Sequence, residues 1–225
     1  MCHLFPAATF TIAFIHLSMV IKVRFSFIQS LSIPMYKAQL AALFWKYEAF
    51  KWDPDEGFLL ASGNRSQYYV DCRALLAYPD ARWLVANLTC AAIQNLAFEA
   101  IGGLEIGAIP LATAISDYAF ATQPSRTYRT FVVRKQAKDH GLGKRIEGAV
   151  NHNDRVLVVD DVLTSGGSIL QALRAVASAK LHASHAMVIV DRQEQDGKQK
   201  IEAEGVQLIS LLTLEDLKSA RPSSS

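Results

Sequence analysis

Cysteine is scarce in this chain. Only Cys2, Cys72 and Cys90 occur among 225 residues, with neither a CxxC pair nor Cys/His ligand spacing. That scarcity excludes a disulfide framework and a cysteine-based zinc site, and a reducing cytoplasm is the expected setting. Net charge is equally slight, +2 at pH 7. Attraction to nucleic acid by overall charge is therefore not expected, and any anion site must come from local clustering. Internal repeats and low-complexity linkers are missing too. An unbroken membrane-spanning run is also lacking: residues 4–21, LFPAATFTIAFIHLSMVI, approach that length, but Pro6 and His16 interrupt them and no basic region precedes them. No membrane association is expected. What the chain has in quantity is apolar surface, with 51% hydrophobic residues, enough for a core.

From Met35 onward the pattern alternates. Residues 36–50 carry Ala, Leu and aromatics at helical spacing, and Pro and Gly in 52–57 break it. Asp80 is expected to cap a helix running to about Phe98. A Gly-rich strand and turn follow at 100–107, then a helix from about Ile109. Residues 130–134, 155–160, 186–191 and 207–213 read as strands, with a helix over 166–179 between the second and third and a polar tail at 219–225. Strands alternating with helices imply an α/β domain with a parallel sheet.

The most informative run is VLVVDDVLTSGGS, residues 156–168. Its apolar part suits a strand buried on both faces, and ligands of such sheets bind at the strands' carboxyl ends. There a turn over Leu163, Thr164, Ser165, Gly166, Gly167 and Ser168 can aim backbone N–H groups and hydroxyls at a phosphate, with the following helix dipole favouring the same anion. A Walker-type loop is excluded by the missing Gly-Lys-Ser/Thr ending. Asp160 and Asp161, as strand neighbours, are expected to point to opposite sides and not to share a proton, which disfavours a general-acid dyad. Acceptors for ribose hydroxyls, or groups near a hydrated magnesium ion, fit better. The plainer alternative is a buried strand followed by an ordinary turn.

A second run, RKQAKDHGLGKR from Arg134 to Arg145, holds five cations, one acid, His140 and two glycines, too polar to pack. It is either a solvated loop or a cationic lid, and it leaves a strand about ten residues before the phosphate strand. His3, His16, His152, His182 and His185 show no spacing that suggests a site.

The VVDD run resembles the phosphoribosyl diphosphate (PRPP) motif of type I phosphoribosyltransferases, and RKQAKDHG with GKRIEG resembles the catalytic loop of orotate phosphoribosyltransferase. LASGNRSQYYVDCR (60–73), GGLEIGAIPLATAIS (102–116), VDRQEQDG (190–197) and LLTLEDL (211–217) are similar to the same family in the same order. The resemblance implies a type I phosphoribosyltransferase fold: a central, mostly parallel sheet flanked by helices, a small hood subdomain and a flexible catalytic loop, all within residues 35–225. It implies transfer of ribose 5-phosphate from PRPP to orotate, giving orotidine 5′-monophosphate and pyrophosphate in pyrimidine synthesis, with Mg2+ as cofactor. Lys138 would be the principal catalytic cation, with Arg134, Lys135 and His140 as pyrophosphate partners. Asp160 and Asp161 would hold the ribose hydroxyls, and Val162, Leu163 and the turn from Thr164 to Ser168 the phosphate side. Thr164, Arg192, Tyr68 and Tyr69 would meet orotate, Arg192 through its carboxylate. Family members are homodimers in which the loop from Arg134 to Arg145 closes over the neighbouring site. The turn at 103–107 would approach pyrophosphate.

Two departures remove positive charge: many members have Lys where Ala61 stands and in the turn occupied by Ile106 and Gly107. The remaining cations are expected to suffice. Two other functions stay open, transfer to a different base and PRPP sensing without turnover, although residues 35–225 leave little room for a nucleic-acid-binding element. The similarity begins just after Met35, so residues 1–34 are set apart as an apolar extension, open to three readings: a signal peptide, a membrane anchor, or translated upstream sequence that the working protein lacks. Mass measurement of the protein from its native host decides among them, and an intact terminus at Met1 would refute the upstream reading.

Overall fold

The computed structural model of the chain describes residues 33–59, 63, 65–123, 125–136 and 145–222. The extension reading for residues 1–34 thus falls almost wholly outside the described residues. Two units are distinguished, Met1–Tyr36 and Lys37–Ser225, and the sheets and their helices belong to the second. After α1 (33–46) come four short strands: β1 (Phe50–Trp52), β2 (Phe58–Leu59), β3 (Arg65–Ser66) and β4 (Tyr68–Val70). Pairing β1 with β4 and β2 with β3, both antiparallel, makes two small sheets apart from the main one. The helix expected over 36–50 ends at 46 instead, because Glu48 takes a left-handed φ of 52° and Phe50 is buried by pairing with Val70.

Next come α2 (Cys72–Leu76) and α3 (Pro79–Ala92). Asp80 lies in the first turn of α3, whose cap is Tyr78 with Pro79 at the first position, so the expected Asp80 cap is not formed. The helix stops at Ala92 rather than near Phe98, since Ile93 and Phe98 reach the core from irregular backbone. The rest is β5 (Ala100–Leu104), α4 (Ala108–Thr122), β6 (Arg129–Val133), β7 (Ile146–Gly148), β8 (Arg155–Leu163), α5 (Gly167–Ser178), β9 (His182–Asp191), α6 (Gly197–Ala203), β10 (Gln207–Thr213) and α7 (Leu214–Ser219). These six strands form one sheet in the order β10-β9-β8-β5-β6-β7, parallel throughout except where β7 pairs antiparallel with β6.

Burial explains the sheet. Val156, Leu157, Val158 and Val159 are all completely buried; alternation sends two to each face, and both faces are covered. On one face Val156 and Val158 pack with Ile169, Ala172 and Val176 of α5, while α4 lies against β5, β6 and β8. The α5 register follows from an apolar stripe at helical spacing on an otherwise polar helix. No helix among the described residues is long and apolar enough to cross a membrane.

β5 sits unusually close to its neighbours, and Gly102 and Gly103 permit it. A Cβ at Gly103 would overlap the Val159 carbonyl oxygen and lie 2.9 Å from the Ala108 Cβ; one at Gly102 would overlap the Phe131 carbonyl. Gly103→Ala is expected to cost about 3 kcal/mol by urea denaturation, since the obstacle is backbone and cannot swing aside. Gly167→Ala, whose methyl meets nothing nearer than 3.7 Å, should change stability by no more than about 0.5 kcal/mol.

Candidate active site

The chain runs from β5 to β6 toward one edge of the sheet and from β8 through β9 to β10 toward the other. Strand order therefore reverses between β5 and β8, the place where open α/β sheets receive ligands beyond their strand ends. Gly107 and Asp161 meet there. A Cβ at Gly107 would stand 2.8 Å from the Asp161 Cγ and 2.9 and 3.0 Å from its two oxygens, so the turn after β5 lies directly on this carboxylate and any side chain would displace it.

Asp160 and Asp161 are both within β8, not beyond its end. Past Val158 the strand is paired with β9 but no longer with β5, which frees the β5 side for side-chain contacts. The Asp161 N–H donates to Asp160 Oδ1 at 3.0 Å, and the Val162 N–H donates to Asp161 Oδ1 at 2.9 Å. Burial pushes the Asp160 carboxyl up to about 8, reinforced by the Asp161 charge and by a side-chain hydrogen bond that the protonated Asp160 donates to Asp161. The two carboxyls are expected not to share a proton; here Asp160 keeps its proton under the influence of Asp161, while each side chain also accepts the N–H of the residue after it.

The strand also runs further than expected. Val162 and Leu163 pair with Val190 and Asp191, and Leu163 is buried, so the turn begins at Thr164 rather than Leu163. Thr164, Ser165 and Gly166 form it, and Gly167 and Ser168 open α5. Gly166 has φ +79°, the left-handed conformation that glycine adopts without strain. A residue without an assigned role holds this turn from below. A Cβ on Gly197, at the start of α6, would lie 2.6 Å from the Thr164 carbonyl oxygen and 3.0 Å from the Gly166 nitrogen, so two backbones touch.

The basic loop is rooted beside the same turn. The Lys135 N–H donates to Glu105 Oε1 at 2.8 Å, Gln171 Nε2 donates to the Lys135 carbonyl at 3.1 Å, and Arg145 Nη2 donates to the carbonyls of Arg134 and Lys135. Arg134 forms an ion pair with Glu147 at 3.8 Å. Lys138 and His140 lie outside the described residues, as does Ala61. Ile106 is exposed in the turn after β5.

Arg192 follows β9. Its side chain is only 3% exposed, and its N–H donates to the Leu163 carbonyl at 3.0 Å, tying it to the end of β8. Tyr68 and Tyr69 do not share a face. The Tyr68 ring stacks on Phe50 at 5.7 Å with Lys218 above it, whereas Tyr69 packs against Phe58 at 5.6 Å. Strand alternation parts the two rings. Arg73, held charged first by its hydrogen bonds to Asp71, also feels the fields of Tyr69 and Asp161. Below the pair, the buried Cys72 thiol contacts the Asp161 carbonyl at 3.7 Å, and burial holds its pKa well up.

Among the described residues no group of three or more His, Cys, Asp or Glu side chains is placed to hold a metal ion. Two adjacent carboxyls can each offer an oxygen to a cation that brings most of its ligands on a substrate, and such a cation would have to displace the proton that Asp160 favours.

Residues 85–214 match the phosphoribosyl transferase domain family. The chain is 40% identical over 162 residues to the orotate phosphoribosyltransferase of Pyrococcus furiosus, covering 71% of this chain and 85% of that one. It is 35% identical over 183 residues to the Aquifex aeolicus orotate phosphoribosyltransferase, covering 81% and 98%. A crystal structure of Mycobacterium tuberculosis orotate phosphoribosyltransferase in complex with 5-phospho-α-D-ribosyl 1-diphosphate superposes with a TM-score of 0.62 at 32% identity, covering 81% of this chain and 91% of that chain.

The Asp160 carboxyl sets a pH dependence. Its ordinary value is 3.8 and its folded value about 8, so between these the folded protein keeps a proton that the unfolded chain releases. The stabilisation it contributes is complete in acid and is lost as pH rises through that window. The gain in stability from Asp160→Asn, measured by ligand-free urea denaturation, should therefore be larger at about pH 8.5 than at about pH 5. A gain that does not change with pH would refute the shift.

Proposed function

This chain belongs to the orotate phosphoribosyltransferase family, and on that premise we propose how its residues serve the reaction. The enzyme transfers the ribose 5-phosphate group of PRPP to orotate, giving orotidine 5′-monophosphate and pyrophosphate for pyrimidine synthesis. The observation that carries the residue roles is the meeting, at the reversal between β5 and β8, of the Gly107 turn, the acidic pair and the glycine turn that opens α5.

In this reading Thr164, Ser165, Gly166, Gly167 and Ser168 hold the 5′-phosphate through backbone N–H groups and hydroxyls at the start of α5, and Val162 and Leu163 fix the height of that turn. Asp160 and Asp161 accept from the ribose hydroxyls. Orotate lies near Thr164 with its carboxylate on Arg192, for which a planar guanidinium suits better than an ammonium. Tyr69 borders the base, while Tyr68 acts through its main chain. As the anomeric C–O bond breaks, its electron pair leaves with pyrophosphate and positive charge grows on the ribose, while the ring nitrogen of orotate that forms the new bond gives up its proton to the departing pyrophosphate. Fixed cations near the leaving group are then stabilising where charge develops. Lys138 takes that role, supported by Arg134, Lys135 and His140. Lys135 is tied by its main chain to Glu105, in the turn that lacks the family's usual lysine. Magnesium, carried on the diphosphate of PRPP with Asp160 and Asp161 nearby, would supply further charge neutralisation. The working form is a cytoplasmic homodimer, with the loop from Arg134 to Arg145 reaching the neighbouring subunit's site and excluding water on closure.

Loss of orotate absorbance with PRPP and magnesium tests the assignment directly. Lys138→Ala is expected to lower kcat by about a hundredfold or more with PRPP binding largely kept; equal loss of both would contradict a transition-state role. Arg192→Ala should raise the KM for orotate. Unchanged orotate use together with transfer to adenine or hypoxanthine would favour a different base, and PRPP binding without any turnover would favour the sensor reading.

A further inference from the structure

We propose that Glu194 and Ser66 are positioning residues: they clamp Arg192 so that one edge of its guanidinium is presented to the acceptor base, and they thereby set the preference for a base bearing a carboxylate. This rests on the reading of Arg192 as the partner of the orotate carboxylate.

The clamp is a closed hydrogen-bonded ring. Arg192 Nε donates to Glu194 Oε2 at 2.7 Å, Arg192 Nη2 donates to Ser66 Oγ at 2.9 Å, and the Ser66 hydroxyl donates to Glu194 Oε1 at 3.1 Å. Ser66 Oγ also accepts the Tyr68 N–H at 3.2 Å, which fills its capacity of one donated and two accepted bonds. Arg192 Nη2 gives a further bond to the Tyr68 carbonyl at 3.1 Å. Nε and Nη2 are thus fully engaged, whereas Nη1 has no partner among the described residues.

Three parts of the chain therefore fix one guanidinium: the end of β3, the start of β4 and the segment after β9. A side chain this buried requires a counter-charge, which the partly exposed Glu194 supplies. Holding the fork in place means that a substrate carboxylate finds the Nη1 edge already aimed, without the cost of ordering it. A base without a carboxylate would leave that edge unpaired in a buried site, and such unpaired groups are what reject near-analogues.

Position and charge predict opposite signs for Glu194. If the carboxylate merely offset the cation, its removal would strengthen the attraction for orotate; if it aims the cation, its removal weakens orotate binding. Steady-state kinetics on the full-length Glu194→Gln, Ser66→Ala and Ser66→Thr variants separate these. Glu194→Gln and Ser66→Ala should each raise the KM for orotate by about tenfold, with kcat and the KM for PRPP within about twofold of the parent, and Ser66→Thr should restore most of the loss by keeping the hydroxyl. A lowered or unchanged KM for orotate in Glu194→Gln overturns the clamp, as does a parallel rise in both KM values. Thermal melts accompany each variant, and the isosteric Glu194→Gln keeps the test decisive should Ser66→Ala fold poorly. Arg192→Ala is the control: no effect on orotate there sinks the carboxylate-pairing role itself, whereas a raised KM with silent Glu194 and Ser66 variants sinks the clamp alone.

Discussion

Bare backbone pressed on its neighbours is the constraint on which this molecule depends. β5 lies between β8 and β6 at a separation that no side chain at Gly102 or Gly103 would tolerate. One turn later Gly107 rests on the Asp161 carboxylate. The completely buried valines and leucine of β8 hold that strand from both faces, so its acidic end cannot retreat. Main chain is thereby brought against β8 and its Asp161 carboxylate where the strand order reverses, an approach that bulkier residues would prevent.

Electrostatics at the crevice is tuned by burial and not by charge count. The chain is almost neutral, yet it gathers two carboxyls at the strand end and roots a cationic segment beside them through Lys135, Glu105, Gln171 and Arg145. Burying Asp160 next to Asp161 penalises a second negative charge, so the ligand-free site carries less repulsion toward a polyanionic sugar than two free carboxylates would. Arg192 is treated in the same way, its charge balanced by Glu194 before any substrate arrives.

Features encoded by neighbouring residues are legible in the sequence. The valine-rich run announced a strand buried on both faces, β10 occupies the residues expected of it, and the helix after Gly166 begins and ends within a residue of its expected bounds. Features created by distant pairing were not. β2 and β3 are two residues each, too short for a periodic signal, and Phe50 became a strand residue because Val70 was there to receive it. The influence of Asp161 on Asp160 depends first on how deeply Asp160 is buried, which the identities of its sequence neighbours do not encode. Ser66 and Glu194 are 128 positions apart; both fall inside family-like segments, but nothing local indicates that they meet. Glu105 and Gln171 were missed for the same reason.

The touching backbones of Gly197 and the Thr164–Gly166 turn carry a consequence for how this protein can evolve or be redesigned. A connection between a strand and a helix ordinarily tolerates length variation, because slack is lost to solvent. Residues 192–196 have no such slack: they leave β9 at Arg192 and must deliver Gly197 to within van der Waals reach of the Thr164–Gly166 turn. One inserted amino acid there would disturb both the backbone contact under that turn and the tie of Arg192 to the end of β8, so length changes in this segment are resisted at both of its ends.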